Sequence, residues 1–377
     1  MRVVAIPFLA EDPALVGRNL AIAASHPAVD RVWGIAGDPQ SASHPELQSK
    51  KVEIVPQARI GGLRPGKGDA MNTAIVLASE EGVDHLHFYD ADITNFDHTW
   101  IDGAEAGVGA GYEIVRHRFP RAATDAMVTW MITKPFLAMK YPGTVLPGIG
   151  QPLGGELLLT SPAIESMVES PMVQGRSDWG IDTALTFTGV ASGHSLYEHY
   201  VADGKRHSLY GSLADLRTMV TECFDVAALL PGIEIPEVAH LAEPTTDVPP
   251  DLRSQSGYSV EATLPLLTAA WGPGELEYVS GILPDDILDP VLGMVETGDY
   301  GFLDETTWHV VLTAIARPGR FDPTPMRDDL IFRLWVGRVL NYTTTHAVRG
   351  YEHALDYLQG TIDDYEAAAK SAEGDQR

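Results

Sequence analysis

The stretch His85-Leu-His-Phe-Tyr-Asp-Ala-Asp-Ile-Thr94 decides how this chain folds and where its chemistry sits. Leu86 to Tyr89 is apolar and aromatic with little helical period, the pattern of a buried parallel strand. It stops abruptly at Asp90-Ala91-Asp92. In open α/β sheets, ligands bind outside the carboxyl ends of the strands. An uncompensated pair of carboxylates there is costly, and oxygen ligands suit a hard divalent ion. The pattern predicts a metal bridging the protein to a diphosphate. The competing reading is a loop that N-caps the next helix.

On either side of this stretch, strands and helices alternate. Val3–Ile6, Val29–Ile35 and Val52–Val55 read as strands. Pro13–Ser25 reads as a helix with Asp12 as N-cap and Pro13 at its first position. Gly66–Glu80 and Trp100–Ala106 read as helices, and Tyr112–Arg116, Glu156–Leu159 and Ser195–Tyr200 as strands. Thr124–Met139 reads as a helix that Pro135 should kink or end. Trp179–Val190 reads as another. The alternation predicts an α/β fold, a parallel sheet with helices on both faces. From Leu213 helical periodicity dominates, interrupted by the Pro-rich stretch Glu243–Pro250. The expected organisation is a catalytic domain over 1–230, a helical C-terminal region over 231–370 and a disordered tail over 371–377.

Composition narrows the function. The 377 residues carry 26 Lys+Arg against 52 Asp+Glu, a formal net charge of -26. So acidic a surface argues against nucleic acid and anionic membranes as partners. The single cysteine, Cys223, excludes an intrachain disulfide, and Met1–Pro7 runs directly into a strand without the pattern of a signal peptide. No stretch approaches a membrane span. A cytoplasmic protein is expected, and a homo-oligomer stays open.

In such a chain, clustered cations are informative. Leu63-Arg-Pro-Gly-Lys-Gly-Asp-Ala-Met-Asn72 places Arg64 and Lys67 in a Gly-rich turn before a helix, whose N-terminus favours anions. No Ser or Thr follows Lys67 as a Walker A loop requires. Arg116-His-Arg-Phe-Pro-Arg121 precedes Thr124 and Asp125, either of which could cap the next helix. Its amides and Arg121 offer a second anion site. The alternative is that these arginines neutralise nearby acids. Gln151-Pro-Leu-Gly-Gly-Glu156 has glycines that permit an unusual backbone path. Arg176-Ser-Asp-Trp-Gly-Ile-Asp182 sets Asp178 and Asp182 around Trp179, which suits a polyol substrate held against a ring. Gly204-Lys-Arg-His207 offers a third metal ligand in His207.

These blocks, with Leu216-Arg-Thr-Met219 and Val339-Leu-Asn-Tyr342, resemble the mannosylglycerate synthase family of retaining GT-A glycosyltransferases in one register over nearly the whole chain. The resemblance implies a GT-A domain with a helical C-terminal region. It also implies transfer of mannose from GDP-mannose to D-glycerate, giving the compatible solute mannosylglycerate with a divalent metal, Mg2+ or Mn2+. Carried over, Pro7, Gln57, Lys67, Asp90, Ala91 and Tyr210 would bind the donor. Asp92 and His207 would hold the metal. Arg121, Ala126, Thr129 and Trp179 would bind the acceptor. Asp182, Lys67 and Leu153 would be the catalytic set, Leu153 through its backbone near the reacting sugar. Two positions depart from the family. Leu9 stands where it has Lys, and Ser208 where it has Arg; Arg206 is the nearest substitute. These departures bear on donor preference, so GDP-glucose or UDP-glucose and another small hydroxy acid are the nearest alternatives. A sugar-nucleotide pyrophosphorylase needs a Gly-rich loop after the first strand, and Pro7–Asp12 has no glycine. A non-catalytic nucleotide-sugar binder would hold the donor and release no nucleotide diphosphate.

Overall fold

The computed structural model describes residues 1–38, 50–58, 66–207, 210–317 and 324–374. Arg64 and Ser208 therefore lie outside the described residues. By contacts the chain forms two compact units, each assembled from three stretches. The first comprises 1–120, 144–208 and 232–249; the second comprises 121–143, 209–231 and 250–377.

The first unit is built on one sheet. Its strands are β1 (Arg2–Phe8), β2 (Arg31–Ala36), β3 (Val52–Pro56), β4 (His85–Phe88), β5 (Ile114–Arg118), β6 (Leu157–Thr160), β7 (Leu196–Tyr200) and β8 (His240–Ala242), in the order β3-β2-β1-β4-β6-β5-β7-β8. β6 runs antiparallel to β4 and β5, while the other pairs are parallel. The apolar runs read as buried strands are the central ones: Val3 to Ile6 and Leu86 to Phe88 are fully or almost fully buried. Helices α1 (Pro13–Ser25), α2 (Lys67–Glu80) and α3 (His98–Gly109) connect the early strands. Asp12 caps α1 as the sequence predicts, accepting from the Ala14 amide at 3.0 Å. The strand β8 was not expected. It is three residues long, at the edge, and has no periodicity to read.

Strand order reverses beside β1, where β2 follows on one side and β4 on the other. Ligands favour such a switch point because the connections leave a crevice between the strand ends. The loop leaving β4 there is clamped from α1. Asn19 is buried and donates to the carbonyls of Ala91 and Ile93 at 3.1 and 2.9 Å. Arg18 Nη1 donates to the Thr94 carbonyl at 2.7 Å.

The second unit is helical. Its spine, Pro325–Thr345, is buried along most of its length. The segment expected as one helix over Thr124–Met139 differs. It becomes a π-helix over Thr129–Thr133 followed by an α-helix over Lys134–Lys140. Pro135 follows directly on the π turn and has no N–H for the carbonyl four residues earlier, Met131 O, which instead accepts from Trp308 Nε1 at 2.6 Å. Of the two proposed caps, Thr124 Oγ1 accepts from the Gly257 amide, and Asp125 Oδ1 accepts from the Ala126 amide. The last helix, Tyr351–Gly374, continues past Ser371, where the sequence predicted a disordered tail. Residues 375–377 lie outside the described residues.

Candidate active site

Beside the switch point of the first unit opens a cleft of about 190 Å³. Pro7 at the end of β1, Gln57 after β3, Lys67 at the start of α2, Asp90, Ala91 and Asp92 after β4, and Trp179 all line it. Sequence blocks far apart therefore meet at one place.

Two of those blocks form one structural piece. Gly66 is the N-cap of α2, and Lys67 is its first residue. Two residues on, Asp69 is buried and accepts from Ser177 Oγ at 2.6 Å. Asn72 Nδ2 donates to the carbonyls of Val173 and Arg176, both at 2.9 Å. Gly68 makes this approach possible: a Cβ there would stand 2.5 Å from the Arg176 carbonyl oxygen and 2.6 Å from the Asp178 nitrogen. The stitching delivers Lys67 to the 176–182 segment. Its Nζ lies 3.1 Å from Asp182 Oδ2, 3.0 Å from Asp90 Oδ1 and 5.6 Å from the centre of the Trp179 ring.

Lys67 is not alone. Lys205, which sequence reasoning passed over in favour of His207, pairs with Asp90 Oδ2 and reaches Glu156 Oε1 at 2.6 Å. Its Nζ stands 4.0 Å from Asp92 Oδ1. The segment is fixed by Arg206, whose carbonyl accepts from the Thr94 amide at 2.7 Å and whose amide donates to Asn95 Oδ1 at 2.9 Å. Arg206 thus ties the 204–207 segment to the loop after Asp92. The signal available in the sequence was a second lysine near a proposed metal ligand in a chain poor in cations.

The electrostatics follow from burial and pairing. Burial would raise Asp90, but Lys205 and Lys67 outweigh it and hold its carboxyl well below the usual range. Burial would lower Lys67; Asp182, Asp90 and Glu156 reverse that and keep the ammonium charged. Burial pushes Glu156 and Asp182 upward, against the pull of the lysines. Each also has an unpartnered buried oxygen, Glu156 Oε2 and Asp182 Oδ1.

Arg116, read as part of a basic anion-binding cluster, is buried and serves the backbone instead. It donates to the carbonyls of Gln151 and Gly154. Thr186 Oγ1 holds Pro152 O from the other side at 2.8 Å. The loop carrying Leu153 is therefore clamped. At Gly155 it passes so near the cations that a Cβ would stand 2.2 Å from Lys67 Nζ.

Asp182 is buried behind Lys67 and does not line the cleft. His207 belongs to the first unit and is half-buried; Tyr210 belongs to the second unit. Among the described residues, no group of three His, Cys, Asp or Glu side chains is arranged to hold a metal ion. The nearest fit to a metal is Asp92. Its carboxylate is 44% exposed, and its buried Oδ1 has no hydrogen-bond partner. A hard ion bound through one carboxylate and substrate phosphates needs no all-protein cage, so this donor fits. Leu9 also lines the cleft and is 47% exposed.

Arg121, Ala126 and Thr129 lie together in the second unit. Arg121 Nη1 pairs with Asp125 Oδ2 at 3.0 Å, the neutralising contact weighed from the sequence. Ala126 has a φ of 57°, rare for a residue with a Cβ and found where surroundings impose it. Aromatic side chains of the C-terminal helices take the carbonyls along this segment. Tyr351 donates to Arg121 O at 3.0 Å and Tyr342 to Ala123 O at 2.7 Å; Trp335 reaches Met127 O at 3.4 Å and Trp308 Met131 O at 2.6 Å.

The chain matches the family model for the mannosylglycerate synthase GT domain over residues 2–229 and that for the mannosylglycerate synthase C-terminal domain over residues 252–362. It belongs to the mannosylglycerate synthase family. The mannosylglycerate synthase of Rhodothermus marinus is 41% identical over 391 residues, covering 99% of this chain and 97% of the relative. That of Selaginella moellendorffii is 40% identical over 376 residues, covering 96% and 89%. A solved glucosyl-3-phosphoglycerate synthase of Mycobacterium tuberculosis overlays 60% of this chain and 78% of its own, with a TM-score of 0.49 at 19% identity. Membership makes the chain a glycosyltransferase, and the GT-A class with a helical C-terminal region agrees with the observed sheet and helices. No helix among the described residues is long and apolar enough to cross a membrane.

Proposed function

We propose that the chain transfers mannose, with retention, from GDP-mannose to D-glycerate, and that it needs Mg2+ or Mn2+. The observation that carries this reading is Lys67, wedged between Asp90 and Asp182 in a cleft at the switch point of a family member's sheet. The GT-domain match over 2–229 and the C-terminal-domain match over 252–362 support a catalytic domain of residues 1–230 and a helical region within 231–370, with β8 returning from the connection to the sheet. In this reading Pro7, Gln57, Ala91 and Asp90 receive the nucleotide sugar. Lys67 stabilises charge growing on the departing diphosphate, with Tyr210 as a further phosphate contact. Preorganised cations at such a place are the largest electrostatic contribution to catalysis. Asp92 and His207 would hold the metal, which when bound adds Lewis-acid neutralisation of the same charge. Asp182 keeps Lys67 in place, and the family resemblance assigns it the hydroxyls of the sugar. Leu153 presents backbone beside the reacting sugar on a loop held by Arg116 and Thr186. Arg121, Ala126 and Thr129 receive the acceptor, the Arg reading its carboxylate; Trp179 walls the acceptor side.

The test is a product assay. Purified chain with GDP-mannose, D-glycerate and Mn2+ should give mannosylglycerate by mass, with an α-linkage by NMR and loss of turnover in EDTA. Leu9 and Ser208 direct the comparison toward GDP-glucose and UDP-glucose. Faster turnover with either would replace the donor assignment and keep the reaction class. Donor binding without release of nucleotide diphosphate for any hydroxy acid would replace the enzyme with a binder.

A further inference from the structure

Lys205 is the cation that the proposed reaction does not use. It is only 7% exposed, reaches Glu156 and Asp90 at once, and stands 4.0 Å from the one carboxylate oxygen fitted to a metal. An ammonium this close to Asp92 repels any divalent ion that approaches the same oxygen, and burial limits the screening of that repulsion. Asp90, the other half of the Asp-Ala-Asp motif, is already taken by Lys205 on one oxygen and Lys67 on the other. Asp90 is thus neutralised by the protein's own lysines before any ligand arrives, and Asp92 faces Lys205 across 4.0 Å. A diphosphate changes the balance, since its negative charges supply the attraction that the occupied carboxylates cannot.

We infer that Lys205 is an internal counter-cation that keeps the divalent ion out of the cleft until a nucleotide diphosphate enters with it. This rests on the metal-dependent reading above and adds an order of binding to it: metal with nucleotide, and little metal alone. Lys205 is then a positioning residue, acting on the ion through Asp90 and Asp92 and not on the sugar.

The test is Mn2+ binding followed by the free-ion EPR signal, with no sugar and no turnover. Wild type should bind Mn2+ weakly alone and tightly with GDP. Lys205→Gln should bind Mn2+ alone roughly ten-fold tighter than wild type, the scale of removing one unit charge a few ångströms away at a partly solvated site. Lys205→Arg should restore the wild-type dependence on GDP. Lys205→Gln leaves Glu156 without its partner, so folding is checked by thermal melt. The double variant Lys205→Gln/Glu156→Gln removes the buried pair together and carries the same expected direction. Equal Mn2+ affinity of wild type and these variants without GDP would overturn the inference and leave the metal-dependent transferase standing. Failure of wild type to bind Mn2+ even with GDP would instead overturn the metal assignment, and this inference with it.

Discussion

At the scale of single residues, the cleft works by a division between its two aspartates. Asp90 is spoken for by two lysines, while Asp92 keeps an unpartnered oxygen. Asp92→Ala should therefore remove metal-dependent turnover and Mn2+ binding in the presence of GDP. The change in unfolding free energy should stay within about 0.5 kcal/mol, as for a half-exposed residue outside the core. Retained metal dependence at full activity would make the motif a helix cap only. Gly155→Ala tests the cations from above. Its Cβ would fall 2.2 Å from Lys67 Nζ and 2.5 Å from Asp90 Oδ1. The flexible lysine end yields before the clamped loop, so the melting temperature should hold while kcat falls by roughly ten- to a hundred-fold. Unchanged kcat would show that Lys67 does not need its present position. Asp90, Asp92 and Lys67 were legible because a strand-end acid pair and a Gly-rich turn are local patterns. Lys205, Glu156 and Asn19 were not, because their meaning is a convergence of side chains 49 to 115 positions apart in sequence that no periodicity records.

At the scale of elements, two features have measurable consequences. The carbonyls of the 121–131 segment are held by aromatic donors from later helices, and Tyr342 is the one nearest Ala126 on its N-terminal side. Tyr342→Phe should raise the KM for D-glycerate several-fold, equivalent to about 1 kcal/mol for one buried hydrogen bond, and leave the KM for GDP-mannose alone. A rise in the donor KM instead would place the 121–129 segment with the nucleotide. The second feature is in the sheet. His117 on β5 is fully buried among Tyr89, Trp100 and His199, and neither ring nitrogen has a hydrogen-bond partner. Burial first, then the neighbouring His199, His87 and Arg116, push its pKa well below the ordinary value. A histidine held neutral when folded costs nothing above the unfolded pKa. Below about pH 6.5 the unfolded chain takes up the proton and the folded chain does not, so stability falls by about 1.4 kcal/mol per pH unit for this group. Urea midpoints between pH 7.5 and 5 should drop in wild type and drop less in His117→Phe. Parallel slopes would assign the loss elsewhere. The Asp12 cap and the apolar central strands were read correctly from sequence; β8 and the π-helix were not. The first is three residues of edge pairing, and the second depends on where neighbouring helices take the backbone carbonyls.

At the scale of the whole molecule, the net charge of -26 sets a self-repulsion that the buried lysines relieve only locally. Added NaCl should raise the melting temperature steadily from low ionic strength up to about 0.5 M, as the Debye length shrinks below typical charge spacings. A flat or falling curve would mean that surface ion pairs, such as Arg31 with Glu53 and Glu81, outweigh the repulsion. Composition gave this property directly. What it could not give is the division of the chain, because each unit joins three stretches that are interrupted by stretches of the other.

That interleaving has a consequence for synthesis. The ribosome delivers a chain from its N-terminal side onward, and domains ordinarily fold as they emerge. Here the stretch 121–143 leaves the tunnel long before Trp308, Trp335 and Tyr342, the side chains that donate to its carbonyls, have been translated. The sheet, too, lacks its edge strand until residue 242 has been made. Until those helices are made, the nascent protein therefore carries a segment without its carbonyl partners, interposed in sequence between the stretches that build the sheet. A stalled chain released at residue 249 should engage holdase chaperones or aggregate, where a protein cut between contiguous domains would leave a soluble first half.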